Sequence, residues 1–196
     1  MRIVHIERLI DEGAISSTSN WQRVEQDLRN AIATIEWPPN SGSFTLYPEK
    51  HGNGVVPIKE ACMIHLGTQH WMREYMLSAI GTGKIDAALR TKSGLFGVEW
   101  ETGNISSSHR AINKMALAWL KKVIVGGVLV LPSRNMYMYL TDRIGNFSEL
   151  QPYFPLWRSL NKSINAGVLE IIVIEHDATS VNVPRITKGT DGRALV

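Results

Sequence analysis

Three carboxylates at short, regular spacing are the residues of this chain best suited to chemistry. Asp86 lies in a stretch, 84–90, that alternates apolar and polar residues. Thr91, Lys92, Ser93 and Gly94 follow with turn chemistry. Alternation resumes over 95–101, where Glu99 and Glu101 stand two apart and so share one face of a strand. Strand, turn and strand predict a hairpin that gathers three negative charges. Their repulsion is costly, and a divalent cation relieves it. Hard oxygen donors at this density suit magnesium. Exposed carboxylates are common on ordinary hairpins, so the flanking residues carry the rest of the argument.

Gly103 and Asn104 end the second strand, and Ser106, Ser107 and Ser108 offer N-cap oxygens for a helix. His109 and Asn113 are four apart, as are Arg110 and Lys114, so each pair runs along one side of that helix. Hydroxyls, an amide and cations on the first turns suit phosphates and base edges. The plainer reading is a capped surface helix. Pro57 opens an earlier helix, and Lys59 and Glu60 sit on its first turn. Glu60 has an ordinary reading as a first-turn acid on the helix dipole, and Lys59 as a solvated lysine. Trp100 alternates away from the acidic face and should pack between sheet and helix. His176-Asp177 read as a strand-end turn, and Cys62 as a core residue.

These residues need elements to hold them. The chain of 196 residues has a formal net charge of +3, which permits nucleic-acid binding without requiring it. One cysteine excludes an intrachain disulfide and a cysteine-type zinc cluster. It suits a cytoplasmic protein. No apolar run reaches transmembrane length. A helix is expected over 21–35, a polar and mobile loop over 48–54, and a strand over 72–80. A helix over 106–123 follows, then a buried strand over 126–131, a helical stretch over 136–143, another over 154–160, and a second buried strand over 168–174. That order predicts a single α/β domain with a central mixed β-sheet, an antiparallel hairpin and flanking helices. Its parts are an N-terminal helical portion about 1–50, a catalytic core about 55–175, and a basic extension about 176–196 with Arg185, Lys188 and Arg193.

An aspartate, a hairpin, a Glu-x-Glu pair and then a helix resemble the PD-(D/E)xK nuclease core. The lysine usual at the last position of that motif is here Glu101. This variant, and the string GVEWETGN before a helix, resemble type II restriction endonucleases of the BamHI, BglII and BstYI type over roughly residues 55–131. The resemblance implies a restriction-endonuclease-like fold and magnesium-dependent hydrolysis of phosphodiester bonds in double-stranded DNA. Asp86, Glu99 and Glu101 would hold Mg2+, with Glu101 acting on the water. Lys59 or Lys84 would supply a migrated cation, or Glu101 would take that place itself. Glu60 would complete the outer coordination or position a cation. Asn104, Ser106, Ser107, Ser108, His109, Arg110, Asn113 and Lys114 would meet DNA. Cutting both strands of a palindrome implies a homodimer. The rival expectations are a non-specific, repair or defence nuclease of the same superfamily, and a non-catalytic DNA-binding domain with a nuclease-like core.

Overall fold

The structure is a computed structural model that describes residues 1–141, 144–163 and 165–189. Arg193 lies outside these residues. The elements are β1 (Arg2–Glu12), α1 (Ser19–Ala33), β2 (Thr45–Leu46), α2 (Val56–Thr68), β3 (Met72–Met76), β4 (Lys84–Thr91) and β5 (Gly94–Trp100). They continue with α3 (Ile105–Leu120), β6 (Gly126–Pro132), α4 (Arg134–Tyr137), α5 (Phe147–Leu150), α6 (Phe154–Arg158), β7 (Gly167–Glu175) and β8 (Ala178–Thr179).

One mixed sheet has the order β1-β7-β6-β5-β4-β3. β5, β6 and β7 run parallel, while β4, β3 and β1 join antiparallel. Parallel strands are covered on both faces, and the near-continuous apolar runs of β6 and β7 show it. Val128 and Val130 enter one core with Trp21, Leu28, Ile58, Leu66 and Trp100, under α1 and α2. Leu129 and Leu131 enter the other with Ile112, Met115, Trp119 and Trp157, under α3 and α6. Each such side chain contributes about 1.5–3 kcal/mol on burial. Trp100 takes the place expected of it, in the first core. The β4–β5 turn depends on Gly94, whose φ of 130° and contact with Val125 leave no room for a side chain.

The structure corrects several expectations. The N-terminal portion is not only helical, because β1 forms an edge of the main sheet. The 72–80 strand stops at Met76 and a single 3-10 turn, Ser78–Ile80, follows. The 136–143 stretch gives only the one-turn α4, and residues 142–143 lie outside the described set. The 48–54 loop is pinned. Asn53 is fully buried, its amide donates to the carbonyls of Tyr47 and Tyr139 at 2.9 Å each, and its oxygen accepts from Ile186 N–H at 3.3 Å. A Cβ on Gly54 would lie 2.1 Å from the carbonyl oxygen of Thr187, so only glycine lets the C-terminal segment close over it. Asp177 binds the N-terminal ammonium at 2.8 Å and the Phe44 amide at 2.7 Å, a structural role for the His176-Asp177 turn. Among the described residues, no helix is long and apolar enough to cross a membrane.

Candidate active site

The site forms where two paired strands part. β4 and β5 pair from Thr91–Gly94 to Ala87–Val98 and no further. β5 stays zipped to β6, through Glu99–Leu129, Trp100–Val130 and the Glu101 N–H on the Val130 carbonyl at 2.8 Å. The freed Trp100 N–H donates to Asp86 Oδ2 at 2.8 Å. A side-chain carboxylate thus stands where a ladder carbonyl would, and Asp86 is fixed against the end of β5.

Lysines from the two helix layers close on this opening. α2 packs Ile58 and Cys62 into the first core, which turns Lys59 inward. Its ammonium lies 2.5 Å from Asp86 Oδ1. α3 brings Lys114 from the other face, where its ammonium pairs with Glu99 and donates to the Lys84 carbonyl at 2.5 Å. Of the two lysines expected as stand-ins for the motif lysine, Lys59 reaches the site. The Lys84 ammonium does not, and lies 3.9 Å from Glu74. Its backbone carbonyl takes part instead.

The electrostatics mark these groups as one unit. Burial pushes the Glu99 carboxyl up to about 7, with the charges of Asp86 and Glu101 adding to it and Lys114 opposing. Burial also raises Glu101. Asp86 adds to that, and Lys59, the Gly103 amide and Arg110 pull the other way. Burial works against the Lys59 charge, yet Asp86, backed by Glu101 and Glu99, raises it above the usual lysine range. Buried Cys62 is pushed up to about 12 by burial and by Asp86, so it stays a thiol.

Hard oxygens at this density fit a divalent cation, and the carboxylate repulsion that adds to burial in raising Glu99 is what such an ion relieves. In the structure the three expected ligands are held by other partners. Among the described residues, no three His, Cys, Asp or Glu side chains stand as a ready coordination set. The reason is local: Asp86 is held by the Trp100 amide and Lys59, and Glu99 by Lys114. Glu60 is not brought in either. Both its oxygens accept from Arg73 on β3, at 2.9 and 3.0 Å. Adjacent residues on a helix point about 100° apart, and Lys59 takes the inward direction.

α3 divides the eight residues expected to meet DNA. Its N-cap is Asn104, whose Oδ1 accepts from the Ser107 N–H at 3.0 Å, rather than one of the three serines. Ser108 is fully buried. The His109 ring packs against Tyr153 at 4.5 Å and Trp157 at 5.8 Å. Asn113 Oδ1 accepts from the Trp157 indole N–H at 2.8 Å. Lys114 belongs to the carboxylate site. Ser108 and His109 are therefore packing residues, and Asn113, though exposed, has its side-chain oxygen engaged by Trp157; helical spacing alone could not tell which way they face. Trp157 is the clue in the chain: a buried indole needs an acceptor. Asn104, Ser106, Arg110 and Asn113 stay exposed and Ser107 partly so.

Comparison with known proteins identifies the family. The profile of the restriction endonuclease BamHI family matches residues 1–193. The type II restriction enzyme OkrAI of Oceanobacter kriegii is 47% identical over 198 residues, covering 100% of both chains. The type II restriction enzyme BamHI of Bacillus amyloliquefaciens is 36% identical over 182 residues, 87% of this chain and 82% of that one. The crystal structure of BglII complexed with a DNA 16-mer superposes with a TM-score of 0.62 at 10% identity, over 89% of this chain and 79% of that chain. That last likeness speaks for the fold alone, which is the restriction-endonuclease fold. Full-length identity, fold and the carboxylates at the strand ends together show that the chain belongs to the BamHI family of type II restriction endonucleases, which are site-specific deoxyribonucleases.

Proposed function

We propose that this site hydrolyses phosphodiester bonds of double-stranded DNA with magnesium as its cofactor, in a homodimer that works in the cytoplasm. The observation that carries the reading is the parting of β4 from β5. It sets Asp86, Glu99 and Glu101 around one opening with Lys59 and Lys114 facing them.

Asp86 and Glu99 would hold the ion. When bound, the ion polarises the scissile phosphate and lowers the pKa of a water. The chain's own residues do the rest. Trp100 N–H and Lys59 hold Asp86 in place. Glu101, with its raised carboxyl, orients the attacking water and accepts its proton. Lys59 adds positive charge beside the anionic phosphate. Asn104, Ser106, Ser107 and Arg110 offer donors to phosphates and base edges at the start of α3. Two copies related by a two-fold axis would present two sites to the two strands.

Incubating the purified protein with plasmid DNA, with and without magnesium, tests this. Discrete fragments that require magnesium are expected. Intact plasmid in magnesium would overturn the catalytic reading, and a smear would overturn sequence recognition. Sedimentation equilibrium is expected to give twice the chain mass.

A further inference from the structure

Lys114 is an unusual lysine. It lies well inside α3, its side chain is only 13% exposed, and it ion-pairs with Glu99, itself 5% exposed at the side chain. Its second acceptor is the carbonyl of Lys84, at 2.5 Å. That carbonyl opens β4, short of the stretch paired to β5. A solvated lysine would have neither partner. A lysine reading DNA would point outward, as Arg110 on the same side of the helix does.

We propose that Lys114 is the resident counter-cation of the active site, occupying the electrostatic place of the divalent ion beside Glu99 until DNA arrives. This rests on the metal-dependent reading above. The charges support it. Asp86, Glu99 and Glu101 carry three negative charges, and Lys59 and Lys114 return two. A divalent ion added while both lysines hold their partners leaves the group with one excess positive charge. A phosphate from DNA cancels that excess. Metal loading is therefore disfavoured in the free protein and becomes favourable with DNA in place. The Lys84 carbonyl gives the displaced ammonium somewhere to stay, so Lys114 can release Glu99 without being driven into solvent. Lys114 acts through Glu99 and is a positioning residue. The apparent metal affinity of the free protein is lowered by the fraction of molecules in which Glu99 is released.

The test is calorimetric titration of the DNA-free protein with Mg2+ at about pH 8.5, where carboxylates near neutrality are ionised. Thermal melts with and without Mg2+ run beside it. Lys114→Met removes the charge, and Lys114→Gln removes it while keeping a donor for the Lys84 carbonyl. Circular dichroism checks that each is folded. Both are expected to bind Mg2+ roughly tenfold tighter than wild type or better, and to gain more melting temperature from it. Lys114→Arg, which keeps the charge, should restore wild-type affinity. Equal or weaker Mg2+ binding by folded Lys114→Gln would overturn the proposal, while wild-type binding that Glu99→Gln abolishes would leave the metal site standing. Wild-type protein that takes up no Mg2+ with or without DNA would overturn both.

Discussion

Two buried glutamates of the same sheet, Glu99 on β5 and Glu170 on β7, are both pushed up to about 7, chiefly by burial. Only one of them belongs to a candidate active site. The Glu170 side chain is fully buried and accepts from Arg8 Nε of the neighbouring β1 at 3.1 Å. Arg8 also pairs with Glu25 at 2.9 Å and Asp11 at 3.2 Å. A planar guanidinium spreads its donors over all three carboxylates and holds them in a fixed fork. Glu99 has two further carboxylates in its field and a lysine, a compact charge on a flexible stem, as its partner. It also lies where strand pairing has just ended, whereas Glu170 lies inside a ladder that continues on either side of it. A raised carboxyl therefore does not mark a site by itself. Several carboxylates at an open strand end, paired with lysines, are what set Glu99 apart.

The largest expected effect separates the two glutamates by activity. Glu99→Gln and Asp86→Asn should each lower DNA cleavage by roughly a thousandfold or more and keep native circular dichroism. Glu170→Gln should cleave within a few-fold of wild type. Comparable losses from Glu99→Gln and Glu170→Gln would erase the distinction.

Stability should reverse the ranking. Arg8→Ala strands the buried Glu170 charge and is expected to cost about 3 kcal/mol in urea unfolding. That is the low end for a broken buried pair, because the Arg8 side chain is 35% exposed. Cleavage by the folded fraction should persist. An Arg8→Ala protein as stable as wild type would show that the pair holds nothing together.

The pH dependence is smaller and shared. A carboxyl raised on folding binds its proton more tightly in the folded chain than in the unfolded one. Its contribution is present below the unfolded value, about 4.3, and is lost as pH rises through about 7 for Glu170. Stability should fall with pH across that window, and Glu170→Gln should make the fall shallower. An unchanged slope in thermal melts at a series of pH values would refute the assignment.

The smallest effect contrasts two exposed residues of α3, one with its side-chain oxygen engaged and one open to solvent. Asn113→Ala removes the acceptor of the Trp157 indole and should cost about 1 kcal/mol of stability with little change in DNA affinity. Arg110→Ala should leave stability alone and weaken binding by about 1 kcal/mol or more. Affinities for a set of single-base-substituted duplexes, read beside urea melts, check both.

Much of this was legible along the chain. Period-two alternation, the turn residues Thr91 to Gly94 and the Glu-x-Glu spacing determined the hairpin and put Asp86, Glu99 and Glu101 near one another, because strand geometry is local. The apolar runs of β6 and β7 determined an inner, two-sided sheet. Spacing also put His109, Arg110, Asn113 and Lys114 on one helix. It could not say where each would point, since that depends on partners 15 to 48 residues away: Tyr153 and Trp157 for His109, Trp157 for Asn113, Glu99 for Lys114. Only the tertiary structure chose Lys59 over Lys84 and gave Glu60 to Arg73, because helix rotation against the sheet decides which neighbour faces in. Only it held the 48–54 loop under the C-terminal segment. Those contacts join residues far apart in sequence, and no local pattern encodes a distance between them.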